Sequence, residues 1–136
     1  MLALFALGLA GCGSAAHFAD KSRPSAPVNV TVYVNNAKIS LSPSSVGAGP
    51  VVFIVTNQAT TSVALTVRPA LGGGTLATTA PINPQATSSF SVDFHAGDYT
   101  LATNPSPSSL SSGSIASASL YIGSARTNGN STLLQP

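Results

Sequence analysis

Few side chains in this 136-residue sequence can carry chemistry: two histidines, one cysteine and three acidic residues. One small group is close in sequence, where His95 lies between Asp93 and Asp98. An imidazole with two carboxylates is a donor set that could bind a divalent cation. However, strand alternation places Asp93 on the opposite face from Phe94, toward solvent. We therefore expect an exposed polar turn, and His95 stays the remaining candidate metal ligand.

The sequence contains no recognisable catalytic pattern. The three aspartates are scattered, which argues against the paired carboxylates of glycoside hydrolysis. No Gly-x-Ser-x-Gly elbow indicates a nucleophilic serine. Gly72–Gly74 is not followed by the lysine that a phosphate-binding loop requires. We expect that the protein is not an enzyme and uses no cofactor.

Charge is sparse, with a formal net charge of +2 at pH 7. The basic residues never cluster beyond a pair, which argues against a nucleic-acid-binding surface. They are Lys21, Arg23, Lys38, Arg68 and Arg126. Serine, threonine and asparagine must keep the surface soluble instead. Helix formers such as Glu and Lys are scarce while Val and Thr are common, so local propensity favours strands.

Residues 1–11 form an apolar block shorter than the ~20 residues that span a bilayer as a helix. The block is typical of a signal peptide whose start is truncated, because no positive residues precede it. Leu9-Ala10-Gly11-Cys12 resembles the lipobox of bacterial lipoproteins, which are cleaved before the cysteine and diacylated on it. The resemblance implies that Cys12 anchors the protein in the cell membrane, on its extracytoplasmic face. Residues 12–27 are predicted to be a flexible linker, in which His17 is a bystander.

Alternating apolar residues predict a single domain of about seven strands between residues 28 and 123. The clearest strand is 28–34, in which four valines share one face. The stretch 46–57 contains five consecutive apolar residues, which suits a central strand covered on both faces. Further predicted strands are 38–42, 63–67, an edge segment at 76–82, 89–94, a strand that includes Tyr99 and Leu101, and 116–122. Turn signals every 8–12 residues favour an all-β, Greek-key β-sandwich, followed by a polar tail at 124–136.

Three segments resemble small bacterial cupredoxins. Leu41–Asn57 is similar to the region that ends in their buried strand, Ala96–Thr100 to a turn containing Gly-x-Tyr, and Ala118–Ile122 to their closing strand. The similarity covers about residues 28–123. It implies a cupredoxin-like sandwich of the kind that occurs in actinobacterial lipoproteins.

The same resemblance implies where copper ligands would stand. Copper cupredoxins use two histidines, a cysteine thiolate and a weak axial methionine. The first histidine would fall near Ser62 or Val63, the cysteine on Thr103, the second histidine near Ser108 and the methionine near Ser114. Hydroxyl and alkyl groups do not hold copper as imidazole and thiolate do. The resemblance therefore implies the fold and argues against electron transfer.

Three functional hypotheses remain open. The first is a membrane-anchored lipoprotein whose non-catalytic module presents loops, such as Gly72–Gly74 and Asn104–Gly113, to a cell-envelope protein or glycan. The second is a metal carrier, for copper above all, that uses His95, His17 or ligands from a partner. The third is an immunoglobulin-like adhesion domain, which differs in strand order. The sequence indicates no specific partner other than the lipid bilayer.

Overall fold

The computed structural model describes residues 24–104 and 114–126 of the chain. They form eight strands and no helix, which confirms the all-β prediction. The strands are β1 Val28–Val34, β2 Ile39–Ser42, β3 Ser45–Asn57, β4 Ala64–Pro69, β5 Ala77–Thr78, β6 Thr87–Phe94, β7 Gly97–Asn104 and β8 Ala118–Ala125. The predicted edge segment 76–82 shortens to β5, because Pro81 has no N–H to contribute to a ladder. None of the described residues form a helix that is long and apolar enough to cross a membrane.

Strand β3 belongs to both layers of a β-sandwich. From Gly49 onward it pairs with β6 in antiparallel fashion, and from Val51 it pairs with β1 in parallel. Its first residues, Ser45–Ala48, pair in parallel with β8. The layers have the orders β2-β1-β3-β6 and β3-β8-β7-β4-β5. An immunoglobulin-like domain consists of two antiparallel sheets, so the two parallel pairs made by β3 argue against that alternative.

A local irregularity in β3 lets the strand pass from one layer to the other. The pairing with β8 shifts register between Gly47 and Ala48. Gly49 has a φ angle of 121°, which L side chains rarely adopt. The Gly47-Ala48-Gly49 sequence therefore provides the bend that the change of layer requires.

The core is built from the inward-facing side of each strand. Phe53 is fully buried, stacks on Phe90 at a centroid distance of 4.9 Å and meets the edge of Phe94 at 5.9 Å. Offset and edge-to-face aromatic pairs contribute beyond their buried area. The fully buried side chains around them include Val30, Val32, Val34, Val51, Val55, Leu65, Val67, Leu101 and Leu120.

The expectation that β3 is covered on both faces is only half right. Val51, Phe53 and Val55 are completely buried, whereas Val52 and Ile54 keep part of their surface exposed. On its two sides β3 is flanked by β1 and β6. An unbroken apolar run can therefore belong to a strand with a single packed face.

Candidate functional site

The two ends of the sandwich differ in composition. Because β1 runs parallel to the second half of β3, Val34 and Asn57 lie at one end while Val28 and Val51 lie toward the other. Seven paired residues separate the ends, about 20 Å along a strand. We call the first the Asn57 end; it comprises Asn57, the loop 58–63, the turn 35–38, the loop 82–86, the end of β7 at Asn104 and Ala116, which bridges to Lys38. We call the second the Arg126 end, from the last described residue.

Asn57 is fully buried and uses its side chain to join two loops. Its Nδ2 donates to the carbonyl oxygens of Thr61 and Ile82, each at 2.8 Å. Its Oδ1 accepts a hydrogen bond from the Ala59 N–H at 2.9 Å. The backbone completes the arrangement, because the Asn57 N–H donates to the Ala86 carbonyl at 3.0 Å. One amide therefore satisfies three buried or part-buried backbone groups that water cannot easily reach.

Further hydrogen bonds hold the outer part of the loop 58–63. Asn36 Oδ1 accepts from both the N–H and the hydroxyl of Thr60, at 2.9 and 3.2 Å. The Ser62 hydroxyl donates to Asn83 Oδ1 at 2.9 Å. Val63 exchanges two backbone hydrogen bonds with Ile82, at 3.1 and 2.8 Å. The loop is thus fixed on both sides by neutral polar groups.

Of the positions where the cupredoxin resemblance places copper ligands, the described ones lie toward this end. Thr103 pairs with Leu65 across β7 and β4, so the end of β7 lies beside the start of β4, next to Ser62 and Val63. Val63 is 4% exposed, and Ser62 is engaged with Asn83. Ser114 is exposed. These side chains offer hydroxyl oxygens and methyl groups, which do not fit a copper site of the cupredoxin type.

His95 lies in the exposed turn between β6 and β7, as predicted. Its carbonyl oxygen accepts a hydrogen bond from the Tyr99 hydroxyl at 3.0 Å, which pins the turn through the backbone. Asp93 and Asp98 are both exposed, and Asp93 points away from the core. Within residues 24–104 and 114–126, no three His, Cys, Asp or Glu side chains come together in a way that could hold a metal ion.

Several predicted features fall outside the described residues. They are Cys12, His17, Ser108 and the greater part of the loop Asn104–Gly113. The strands on either side of that loop, β7 and β8, meet it at the Asn57 end, because Lys38 bridges to Ala116 there.

The loop that contains Gly72–Gly74 lies at the Arg126 end, because it follows Pro69, which pairs with Tyr99 at the start of β7. Leu71 in this loop is 99% exposed. The Gly72–Gly74 loop therefore lies at the opposite end of the domain from Asn104, the described residue at which the second predicted binding loop begins.

Arg126 organises the opposite end, and no sequence pattern had marked it. Its Nη2 donates to the Pro50 carbonyl at 2.7 Å and its Nε to the Ala48 carbonyl at 3.2 Å. Its own carbonyl accepts from the Ser25 hydroxyl at 2.9 Å, so the segment before β1 and the segment after β8 meet here. A Cβ atom on Gly47 would lie 2.5 Å from Arg126 Cγ. Gly47 and Gly49 were the only sequence signal for this contact. Two glycines so close together in a strand leave room for a long side chain to approach the backbone.

Comparisons with known proteins agree with this architecture. No protein-family model matches the sequence, and no curated protein matches it. Among solved structures, auracyanin A, a blue copper protein from Chloroflexus aurantiacus, matches with a TM-score of 0.52 and 14% identity, covering 72% of this chain and 100% of that one. The copper-containing nitrite reductase of Thermus scotoductus SA-01 matches with a TM-score of 0.50 and 12% identity, covering 75% of this chain and 29% of the enzyme. At such identities the likeness concerns the fold alone: the described domain has a cupredoxin-like β-sandwich fold.

Proposed function

We propose that the protein is a membrane-anchored extracytoplasmic lipoprotein whose cupredoxin-like domain is a non-catalytic binding module. One observation carries the proposal. The end of the sandwich where the resemblance would place copper ligands carries Ser62, Val63, Thr103 and Ser114, and its loop is held by the buried amide of Asn57. A rigid, hydroxyl-rich surface, on which Lys38 is the only charged side chain among the described residues, suits recognition of a cell-envelope protein or glycan through hydrogen bonds.

The position of the linker is consistent with a partner that binds at the Asn57 end. The segment 12–27 joins β1 at Val28, which lies toward the Arg126 end. If Cys12 is acylated, the linker can extend up to ~50 Å from the bilayer and joins the domain at the end opposite Asn57, so the Asn57 end stays accessible to a partner. Two acyl chains give a stable anchor, at ~0.8 kcal/mol for each buried methylene.

Metal titration of the full chain tests the non-metal part of the proposal. We expect no binding of Cu(I) or Cu(II) tighter than micromolar, because the donor set is absent from the predicted positions. A matched variant that restores the donors should bind copper more tightly and gain the visible absorption of a copper–thiolate bond. It carries Ser62→His, Thr103→Cys, Ser108→His and Ser114→Met. Submicromolar copper binding by the unaltered chain would instead support the second function, a metal carrier, with His95 or His17 as the candidate ligand.

Metabolic labelling tests the anchor. A clickable palmitate analogue should label the unaltered protein and not Cys12→Ala. Equal labelling of both would refute lipidation at Cys12.

Site-specific crosslinking tests which end meets the partner. A photoactivatable residue at Gln58, which is exposed at the Asn57 end, should give adducts in intact cells. The same residue at Thr75, which is exposed at the Arg126 end, is the control. Adducts formed only from Thr75 would show that the partner binds at the Arg126 end and would contradict the proposal.

A further inference from the structure

Strand β6 has an open edge in the described part of the chain. It pairs with β3 along Thr87–Phe94, and no other described strand lies against its outer side. The remaining outer strands are shorter: β5 has two residues and β2 has four. Natural sheets usually protect an exposed edge with lysine, proline or a bulge. The eight residues of β6 contain none of these, and Asp93 is their only charged side chain.

The register of β6 fixes which of its backbone groups point outward. The ladder with β3 is bounded by the hydrogen bond from the Asn57 N–H to the Ala86 carbonyl. Since antiparallel pairing alternates, even-numbered residues of β6 bond to β3, and the odd-numbered residues direct their N–H and C=O to the open edge. These outward-facing residues are Thr87, Ser89, Ser91 and Asp93, and all are exposed.

Phe90 leaves apolar surface beside this edge. It stacks on the fully buried Phe53 with an interplanar angle of 21°, yet it is itself only partly buried. A second strand added to β6 would cover the remaining surface of Phe90.

We propose that two copies of this chain associate by pairing β6 with β6 in antiparallel fashion, about a two-fold axis at Phe90. In this register Ser89 lies opposite the partner's Ser91, and Thr87 lies opposite the partner's Asp93. Every outward-facing residue then has a partner, for a total of about eight backbone hydrogen bonds. The two Phe90 side chains meet across the axis, where non-hydrogen-bonded Cα atoms are ~4.5 Å apart.

The charge pattern favours a second copy as the occupant. The proposed register places each Asp93 carboxylate beside a threonine hydroxyl, which can donate to it, and keeps the two carboxylates apart. Sliding the strands until Asp93 faces Asp93 would lose most of the backbone pairs and oppose two like charges. The strand is thus complementary to itself in the one register that uses the whole edge. The resulting interface is isologous, as in most homodimers.

Sedimentation velocity of the full chain in density-matched detergent tests this inference, which is independent of whether the Asn57 end binds a partner. The unaltered chain should dimerise. The double variant Ser89→Lys with Ser91→Lys should raise the dissociation constant roughly tenfold or more, because each lysine would face a lysine of the partner subunit. Both positions are exposed in one copy, so the fold should tolerate the change. Ser40→Lys with Ser42→Lys, on the opposite edge strand β2, adds the same charge and should leave the dimer intact.

A charge-complementation experiment tests the register of the proposed β6 pairing. Mixing the double lysine variant with Ser89→Asp, Ser91→Asp should restore dimers of mixed composition, because unlike charges then lie opposite one another. The inference is overturned by any of four results: a monomeric unaltered chain up to ~100 µM, a dimer that survives the lysine pair on β6, equal loss from the lysine pair on β2, or failure of the mixture to associate.

Discussion

Replacing Asn57 by aspartate changes one buried amide into a carboxylate of nearly the same shape. The Oδ1 acceptor for the Ala59 N–H is kept. The Nδ2 donor is lost, and in its place an oxygen faces the carbonyl oxygens of Thr61 and Ile82, both 2.8 Å away. Three oxygens with no hydrogen between them repel one another, and a buried carboxylate also loses its hydration.

The expected loss of unfolding free energy follows from the number of hydrogen bonds that a substitution removes. Each net hydrogen bond contributes about 1 kcal/mol, and a buried group left without a partner costs about 1–3 kcal/mol. Asn57→Ala removes all three side-chain hydrogen bonds. It should therefore lower the free energy of unfolding by about 3–5 kcal/mol. A domain of this size has about 5–15 kcal/mol in total, so the loss is a large fraction.

Asn57→Asp should differ from the alanine variant by depending on pH. Burial and the two facing carbonyls disfavour the ionised form, so the pKa of the new carboxyl in the folded state lies above its unfolded value of about 3.9. Between these two pKa values the folded state binds more protons than the unfolded state. The free energy of unfolding then falls by up to ~1.4 kcal/mol for each unit of rising pH. Below the unfolded pKa the protonated carboxyl can donate to one carbonyl. The loss of unfolding free energy relative to the unaltered protein should therefore be smallest there.

Urea denaturation measures this loss of unfolding free energy. The variant and the unaltered protein are compared at several pH values between 3.5 and 7. Asn36→Asp is the matched control, because the Asn36 side chain is exposed and acts only as an acceptor for Thr60. It should change the free energy of unfolding little at any pH. A loss for Asn57→Asp that is below ~1 kcal/mol, or that does not grow with pH, would refute the account of Asn57 given above.

Four further substitutions test the other contacts by the same denaturation measurement. Arg126→Ala should cost about 1–3 kcal/mol, since two hydrogen bonds to β3 carbonyls are lost while the buried Nη1, which has no partner among the described residues, is removed. Gly47→Ala should cost more in the unaltered chain than in the Arg126→Ala background, and additive losses would contradict the close packing of the two residues. Tyr99→Phe should cost about 0.5–1.5 kcal/mol through loss of the bond to the His95 carbonyl, with unchanged stability as the contrary result. Leu101→Ala should cost about 2–5 kcal/mol, because the side chain is fully buried, and a smaller loss would argue against its place in the core.

The strands were predictable because their signal is local. Val28–Val34 was predicted with the bounds that the structure shows, since period-two alternation requires only neighbouring residues. Tyr99 and Leu101 belong to a predicted strand, and both face the core. The cupredoxin-like architecture followed from the order of three short segments, and the structural neighbours confirm it.

The sequence by itself determined the strands, the exposed turn at His95 and the residue types at the positions expected for copper ligands. Only the tertiary structure decided that β3 serves both layers, that Gly72–Gly74 and Asn104 lie at opposite ends, and that Asn57 and Arg126 each hold one end together. Asn57 reaches Ile82 across 25 residues of sequence, and Arg126 reaches Ala48 across 78. Such hydrogen bonds form between groups that only folding brings together, so no local pattern of residues can predict them.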